Sequence, residues 1–315
     1  MAVGSSVGVT LFDPQKPQQP LRILNDYSSL VGGLAFSRDS SRIAAGGING
    51  TTYVWDAGTG KLVAALHNDA DHDLIRPENA AYIFDVVFSK DGSQVISAAR
   101  NETVRVWDIL SGKEVRALKM PQGSADYLAI NPAGNLLATA FWGQGGGVVL
   151  WDLATGNILK VWPNFSGGRL AFSADGTKLV IKGGALTVVN VRTGNRLVSF
   201  GNVNSYALSP DSTLIAYTAN DNNNINGEIA LWDIQHGNRL KSFVGHKGYT
   251  QSIAFNPDGT RLASTAVDGT VRLWDSKSRE QIASWQGYDA TISCGCDRFA
   301  NYTVEFSPGG QWLTT

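Results

Sequence analysis

The dipeptide Trp-Asp returns along the chain at Trp55-Asp56, Trp107-Asp108, Trp151-Asp152, Trp232-Asp233 and Trp274-Asp275, with weaker echoes at Phe12-Asp13 and Val189-Asn190. A recurrence of this kind constrains a fold more than any single motif, because each repeat must be one supersecondary unit that buries its faces against its neighbours. The marks are preceded by segments such as "LAFSRDSSRIAAGG", "VVFSKDGSQVISAA", "LAFSADGTKLVIKG" and "IAFNPDGTRLASTA". Each of these is a β-rich run, a polar turn with Asp, Gly or Pro, and a second β-rich run. A short turn and one more run follow each mark, as in "AGTGKLVAAL" and "ILSGKEVRAL". Four strands per unit and seven units is the resulting expectation.

In these segments the chain resembles the WD40-repeat family. The resemblance implies an all-β fold, a seven-bladed β-propeller of four-stranded antiparallel blades. It also implies a hydrogen-bonded tetrad of His, Ser or Thr, Asp and Trp. All four members carry over in the sixth repeat, as His246, Ser264, Asp268 and Trp274. Elsewhere Asn49, Asn101 and Asn226 stand where the turn Asp belongs, and the fourth repeat has Val189-Asn190 in place of Trp-Asp.

Both ends of the chain stop inside a repeat. "YTVEFSPGGQWLTT" reads as a first and second strand, and "VGVTLFD" with "QQPLRIL" as a third and fourth. Joined, residues 1–24 and 302–315 make one shared blade that closes the ring, which gives a single domain over residues 1–315. Closure leaves no open sheet edge at the join. Leu11, Phe12, Leu21, Ile23 and Leu24 are the side chains expected to be covered by it.

The net charge is −1, and the 26 Lys and Arg form no basic run, so the electrostatic footprint of a nucleic-acid binder is missing. No apolar stretch reaches the ~20 residues of a membrane span, and the N-terminus lacks a signal-peptide pattern. A monomeric cytoplasmic protein is expected. No cofactor is implied. No G-x-S-x-G nucleophile elbow is assigned, and the phosphate-binding G-x-x-x-x-G-K-[ST] and H-E-x-x-H do not occur.

Measured against the commonest unit, the extra residues fall at 67–80, 141–147, 220–228 and 286–301. All are connections from a fourth strand to the next first strand, or from a second to a third. By the resemblance these connections share one face, and loops on a rigid scaffold carry function. The first-strand residues three before the "F-S" mark are Gly33, Asp85, Tyr127, Arg169, Ser205, Ser252 and Thr303, and the resemblance places them at the mouth of a central channel. Asp85, Tyr127 and Arg169, with Trp142 in a neighbouring loop, combine charge and aromatic area as binding anchors do.

The leading functional expectation is a non-catalytic scaffold for protein or peptide partners. One alternative is a regulatory propeller within a larger multidomain protein. Another is a metal-dependent enzyme or sensor using residues 67–73, with His67 and His72, and residues 294–296, with Cys294 and Cys296. Cys-x-Cys and His-x4-His match no strong zinc spacing, so no metal is assigned.

Overall fold

A computed structural model describes residues 2–5, 8–12, 20–24, 31–67, 82–141, 146–165, 168–219, 227–286, 304–306 and 313–314. All regular secondary structure among them is β-strand. The chain opens with a three-stranded sheet of β1 (Ala2–Ser5), β2 (Gly8–Phe12) and β3 (Pro20–Leu24). Six four-stranded sheets follow in chain order. The first contains β4 (Val31–Phe36), β5 (Arg42–Gly47), β6 (Thr51–Asp56) and β7 (Leu62–His67), and the second β8 (Ile83–Phe88), β9 (Gln94–Ala99), β10 (Thr103–Asp108) and β11 (Glu114–Lys119). The third contains β12 (Ala125–Ile130), β13 (Leu136–Phe141), β14 (Gly147–Asp152) and β15 (Ile158–Pro163), and the fourth β16 (Arg169–Phe172), β17 (Lys178–Lys182), β18 (Leu186–Asn190) and β19 (Arg196–Phe200). The fifth contains β20 (Val203–Leu208), β21 (Leu214–Ala219), β22 (Ile229–Asp233) and β23 (Asn238–Phe243), and the sixth β24 (Thr250–Phe255), β25 (Arg261–Ala266), β26 (Thr270–Asp275) and β27 (Gln281–Gln286). A two-stranded sheet of β28 (Glu305–Phe306) and β29 (Leu313–Thr314) ends the order. The strands pair antiparallel with their sequence neighbours, which is the strand order of a seven-bladed β-propeller. Two compact units divide the chain, Met1–Phe172 and Ser173–Thr315.

The repeated residues explain the repeated strands. Between first and second strands, Ser37 Oγ donates to Asp39 Oδ1 at 2.6 Å, and the same carboxylate accepts from the Ser41 N–H at 3.0 Å. Ser37 Oγ also accepts the Arg42 N–H at 2.9 Å, so one buried hydroxyl closes the turn. Ser89 and Asp91, Ser173 and Asp175, and Ser209 and Asp211 repeat this device. Within the Trp-Asp mark the two residues divide the work. Asp56 Oδ1 accepts the Thr59 N–H at 2.7 Å, and Asp108, Asp152 and Asp275 hold Ser111, Thr155 and Ser278 in the same way. The carboxylate thereby supplies the turn's missing acceptor. Trp55, Trp107, Trp151 and Trp274 are buried.

In the first unit, Val9, Leu11 and Leu24 of the N-terminal sheet pack with Ile43, Ala45 and Trp55 of the first four-stranded sheet. Burial of side chains this size contributes roughly 1.5–3 kcal/mol each. Ile23, expected among the covered residues, is exposed instead. A further departure is β1, which the sequence reading left without a strand. It pairs with β2 from Ala2↔Leu11 to Ser5↔Gly8 and so takes the edge of β2 opposite β3. In the second unit, buried Val304 packs with Ala263 and Leu273 of the sixth sheet.

Candidate partner-binding face

The first strands carry the candidate anchors, and some of those side chains are already engaged. Asp85 on β8 accepts the Leu128 N–H of β12 at 2.8 Å and its neighbour Val86 N–H at 2.9 Å. The same strand position does the same job in the second unit. Ser205 Oγ accepts the Ile253 N–H at 3.3 Å, and Ser252 Oγ accepts the Val304 N–H at 3.1 Å. These acceptors tie β8 to β12, β20 to β24, and β24 to Val304 just before β28. At Gly33 there is no room for any such side chain, since a Cβ there would lie 2.5 Å from Asp85 Cα. These positions share one place in the repeat, but the ties they make run between successive repeats. The signal was the acceptor side chain itself, Asp or Ser, at a fixed distance before the "F-S" mark.

Burial pushes the Asp85 carboxyl up to about 6, against the Leu128 and Val86 N–H groups and the positive charge of Arg169, which favour ionisation. Arg169 lies exposed on β16, and Tyr127 is half-buried on β12. The Asp85 carboxylate is thus held by backbone and feels the positive charge of Arg169, whose residue is exposed. Trp142 lies outside the described residues, as do most residues of the four insertions. Next to those insertions, Arg100 stands 5.8 Å from the Tyr82 ring centroid and Phe84 is exposed in the first unit. In the second unit, Val244, Tyr249 and Val267 are exposed around the connection into β24 and the β25–β26 turn. Leu110, in the β10–β11 turn, is an exposed apolar residue of the other turn class, at 91%.

In the sixth sheet His246, Ser264, Asp268 and Trp274 form one continuous chain of hydrogen bonds. Trp274 Nε1 donates to Ser264 Oγ at 2.8 Å, and Ser264 Oγ stands 2.7 Å from His246 Nε2. His246 Nδ1 is 3.1 Å from Asp268 Oδ2, which also accepts the Lys247 N–H at 2.8 Å. Because a carboxylate only accepts, this arrangement assigns the proton of a neutral imidazole to Nδ1 and leaves Nε2 to accept from Ser264. Burial lowers the His246 pKa below its usual range, although Asp268 opposes that shift. Burial works against ionised Asp268 as well, yet hydrogen bonds from Thr270, Lys247 and His246 hold its pKa down at about 2. Shorter versions of this network occur where Trp107 Nε1 donates to Ser97 Oγ at 3.0 Å and Trp151 Nε1 to Thr139 Oγ1 at 2.9 Å. Those pairs lack the His and Asp that mark the full tetrad in the sequence.

Of the possible metal ligands, His67 Nδ1 lies 3.0 Å from Thr51 Oγ1. His72, Cys294 and Cys296 fall outside the described residues. Among the described residues no three His, Cys, Asp or Glu side chains converge as a metal site, and no helix is long and apolar enough to cross a membrane.

A family model described as "WD domain, G-beta repeat" matches residues 18–56, 73–108 and 237–275. Those three segments are similar to WD40 repeats. The last matched WD40 segment spans the complete tetrad of the sixth sheet. Among curated proteins, the chain is 23% identical over 274 residues to a serine-threonine kinase receptor-associated protein of Gallus gallus, covering 82% of this chain and 71% of that one. A protein of the same name in Dictyostelium discoideum is 24% identical over 305 residues, covering 82% and 99%. Eukaryotic translation initiation factor 3 subunit I of Culex quinquefasciatus is 26% identical over 215 residues, covering 62% of this chain and 64% of that protein.

Proposed function

We propose that this chain is a non-catalytic platform that binds protein or peptide partners on the face bearing its insertions. In this reading Tyr127, Trp142 and Arg169 are the anchors, and Asp85 acts behind Arg169. The observation that carries it is the exposed Arg169, whose positive charge acts on an Asp85 already engaged by backbone, with the half-buried Tyr127 on β12. Arg and aromatic side chains dominate the energetics of protein interfaces. The relatives support the same class, since one is named as receptor-associated and the other as a subunit of an initiation factor. A cytoplasmic location fits the second of those names. The reading includes a monomeric single domain over residues 1–315, closed by a blade shared between residues 1–24 and 302–315.

Capture of partners on the immobilised chain, followed by titration of the recovered partner, tests the platform. Tyr127→Ala, Trp142→Ala and Arg169→Ala should each lose ~2 kcal/mol of binding, roughly thirtyfold in affinity. Lys90→Ala and Lys178→Ala, in turns of the opposite class, should stay within about 0.5 kcal/mol. Normal binding by folded anchor variants, with loss at Lys90 or Lys178, would put the working surface on the other side. For closure, removal of residues 1–24 should abolish the cooperative thermal transition. A truncated chain that melts cooperatively within a few degrees of full length would rule out the shared blade.

A further inference from the structure

The second and sixth sheets are entered through the same backbone tie. The Arg100 N–H donates to the Tyr82 carbonyl at 2.9 Å, just before β8, and the Val267 N–H to the Tyr249 carbonyl at 3.0 Å, just before β24. In the second sheet the Arg100 guanidinium stands 5.8 Å from the Tyr82 ring centroid. In the sixth, Val267 holds the place of that Arg, and Tyr249 and Val267 are left 36% and 42% exposed. Gly248 brings the two segments close, since a Cβ there would lie 2.6 Å from Val267 Cγ2. Val244, 67% exposed, adds apolar surface to the same connection. The tetrad fixes this arrangement. His246 belongs to one segment and Asp268 to the other, and His246 Nδ1 lies 3.1 Å from Asp268 Oδ2. Apolar groups held rigidly lose less freedom on binding than mobile ones. The open charge here is positive. Lys247 is exposed, and among the described residues its ammonium group has no acidic partner. Asp268, which accepts the Lys247 backbone N–H, is already engaged by His246, by Thr270 and by Arg272 at 3.7 Å.

We propose that Tyr249, Val267 and Lys247 form a docking site for a partner peptide segment in which aliphatic side chains flank a carboxylate. The carboxylate pairs with Lys247, and the aliphatic groups cover Tyr249, Val267 and Val244. Burial of the apolar groups supplies affinity, and the ion pair selects the segment. The second sheet does not offer the same site, because Arg100 sets a charge where the sixth sheet has Val267. The proposal rests on the reading that partners bind through the connections of the insertion-bearing face. It adds a contact to that face that does not use Tyr127, Trp142 or Arg169.

The test is fluorescence anisotropy with three labelled Gly/Ser peptides that differ only at the centre, carrying Leu-Glu-Leu, Leu-Lys-Leu or Ser-Glu-Ser. The full chain should bind the Leu-Glu-Leu probe roughly tenfold more tightly than either of the others. Val267→Asn should weaken that binding roughly tenfold with an unchanged melting temperature. Lys247→Glu should reverse the preference between Leu-Glu-Leu and Leu-Lys-Leu, and Arg169→Ala should change nothing. If Val267→Asn unfolds the protein, the Lys247→Glu reversal decides alone. No binding of the Leu-Glu-Leu probe, equal binding of the three, or a retained preference in Lys247→Glu would overturn the proposal. Loss in Arg169→Ala alone would also overturn it, while leaving the anchor reading standing. Reversal by Lys247→Glu, with captured partners indifferent to Tyr127, Trp142 and Arg169, would uphold this site and strike those anchors.

Discussion

The fifth and sixth sheets are neighbours in sequence and carry the same Trp-Asp mark, yet they hold the Trp by different means. In the sixth, the Trp274 indole N–H is satisfied by Ser264, which is tied onward to His246 and Asp268. In the fifth, Tyr217 holds the second-strand position that corresponds to Ser264, and buried Trp232 Nε1 has no acceptor among the described residues. Aromatic packing takes over there. Phe200 stacks on Tyr217 at 4.1 Å and meets Trp232 edge-on at 5.4 Å between centroids. Such pairs contribute about 0.5–1.5 kcal/mol beyond the area they bury, comparable with one net hydrogen bond. One repeat architecture therefore tolerates two chemistries in its interior, because dispersion and area burial can replace a polar tie of similar size.

Variants of the two sheets can break or sharpen this contrast. Ser264→Ala should have the largest effect, because it strands both Trp274 Nε1 and His246 Nε2 in the interior. A loss of about 3 kcal/mol in urea unfolding is expected, given ~1–3 kcal/mol for each buried unsatisfied group. Asp268→Ala comes next, at about 2 kcal/mol by the same measurement. It also tests pH linkage. Both Asp268 and His246 have folded pKa values depressed below their unfolded ones, so each contributes stability that is present above its unfolded value and lost as pH falls through the lower folded value. For Asp268 the window runs from its ordinary value of 3.8 down to about 2. Urea midpoints stepped through that range should fall less steeply in Asp268→Ala than in the parent chain. An unchanged slope would mean the carboxylate is not held as described.

Tyr217→Ser imports the sixth-sheet arrangement into the fifth. It offers Trp232 an acceptor worth ~1 kcal/mol but forfeits ring burial worth roughly 2 kcal/mol, so a net loss of about 1 kcal/mol is expected. A variant more stable than its parent would show that the aromatic cluster is a poor substitute. The smallest effect is expected at Arg279, which holds φ 63° at the turn position occupied by Gly237, φ 69°, in the fifth sheet. Arg279→Gly removes Cβ strain and should raise stability by ~0.5 kcal/mol, read as a small rise in melting temperature.

How much of this was legible in the sequence depended on whether the partners sat at fixed offsets within one repeat. The strand order was, because turn residues and β-rich runs recur locally around each Trp-Asp mark. His246, Ser264, Asp268 and Trp274 were legible through their likeness to a known pattern, and all belong to one repeat. The Asp85 tie was not, because its acceptor and the Leu128 N–H are 43 residues apart and no periodicity announces a bond between successive repeats. The aromatic cluster of the fifth sheet was hidden similarly, since Phe200 comes from the preceding repeat. The strand β1 was missed because "AVGS" alternates small residues and carries no apolar signal. Of the binding anchors, the sequence supplied residue types, while the exposed Arg169 and the engaged Asp85 needed coordinates.

A double-mutant cycle between Ser264→Ala and Trp274→Phe tests most directly whether a polar tie, and not burial alone, fixes the Trp of the sixth sheet. Phe removes the indole N–H while keeping an aromatic ring, so Ser264→Ala should cost less in that background than in the parent. Urea unfolding of the four chains should give a coupling energy of about 1 kcal/mol or more, the range found for residues in one hydrogen-bond network. Strict additivity would contradict the account, because it would mean Trp274 is held by packing just as Trp232 is.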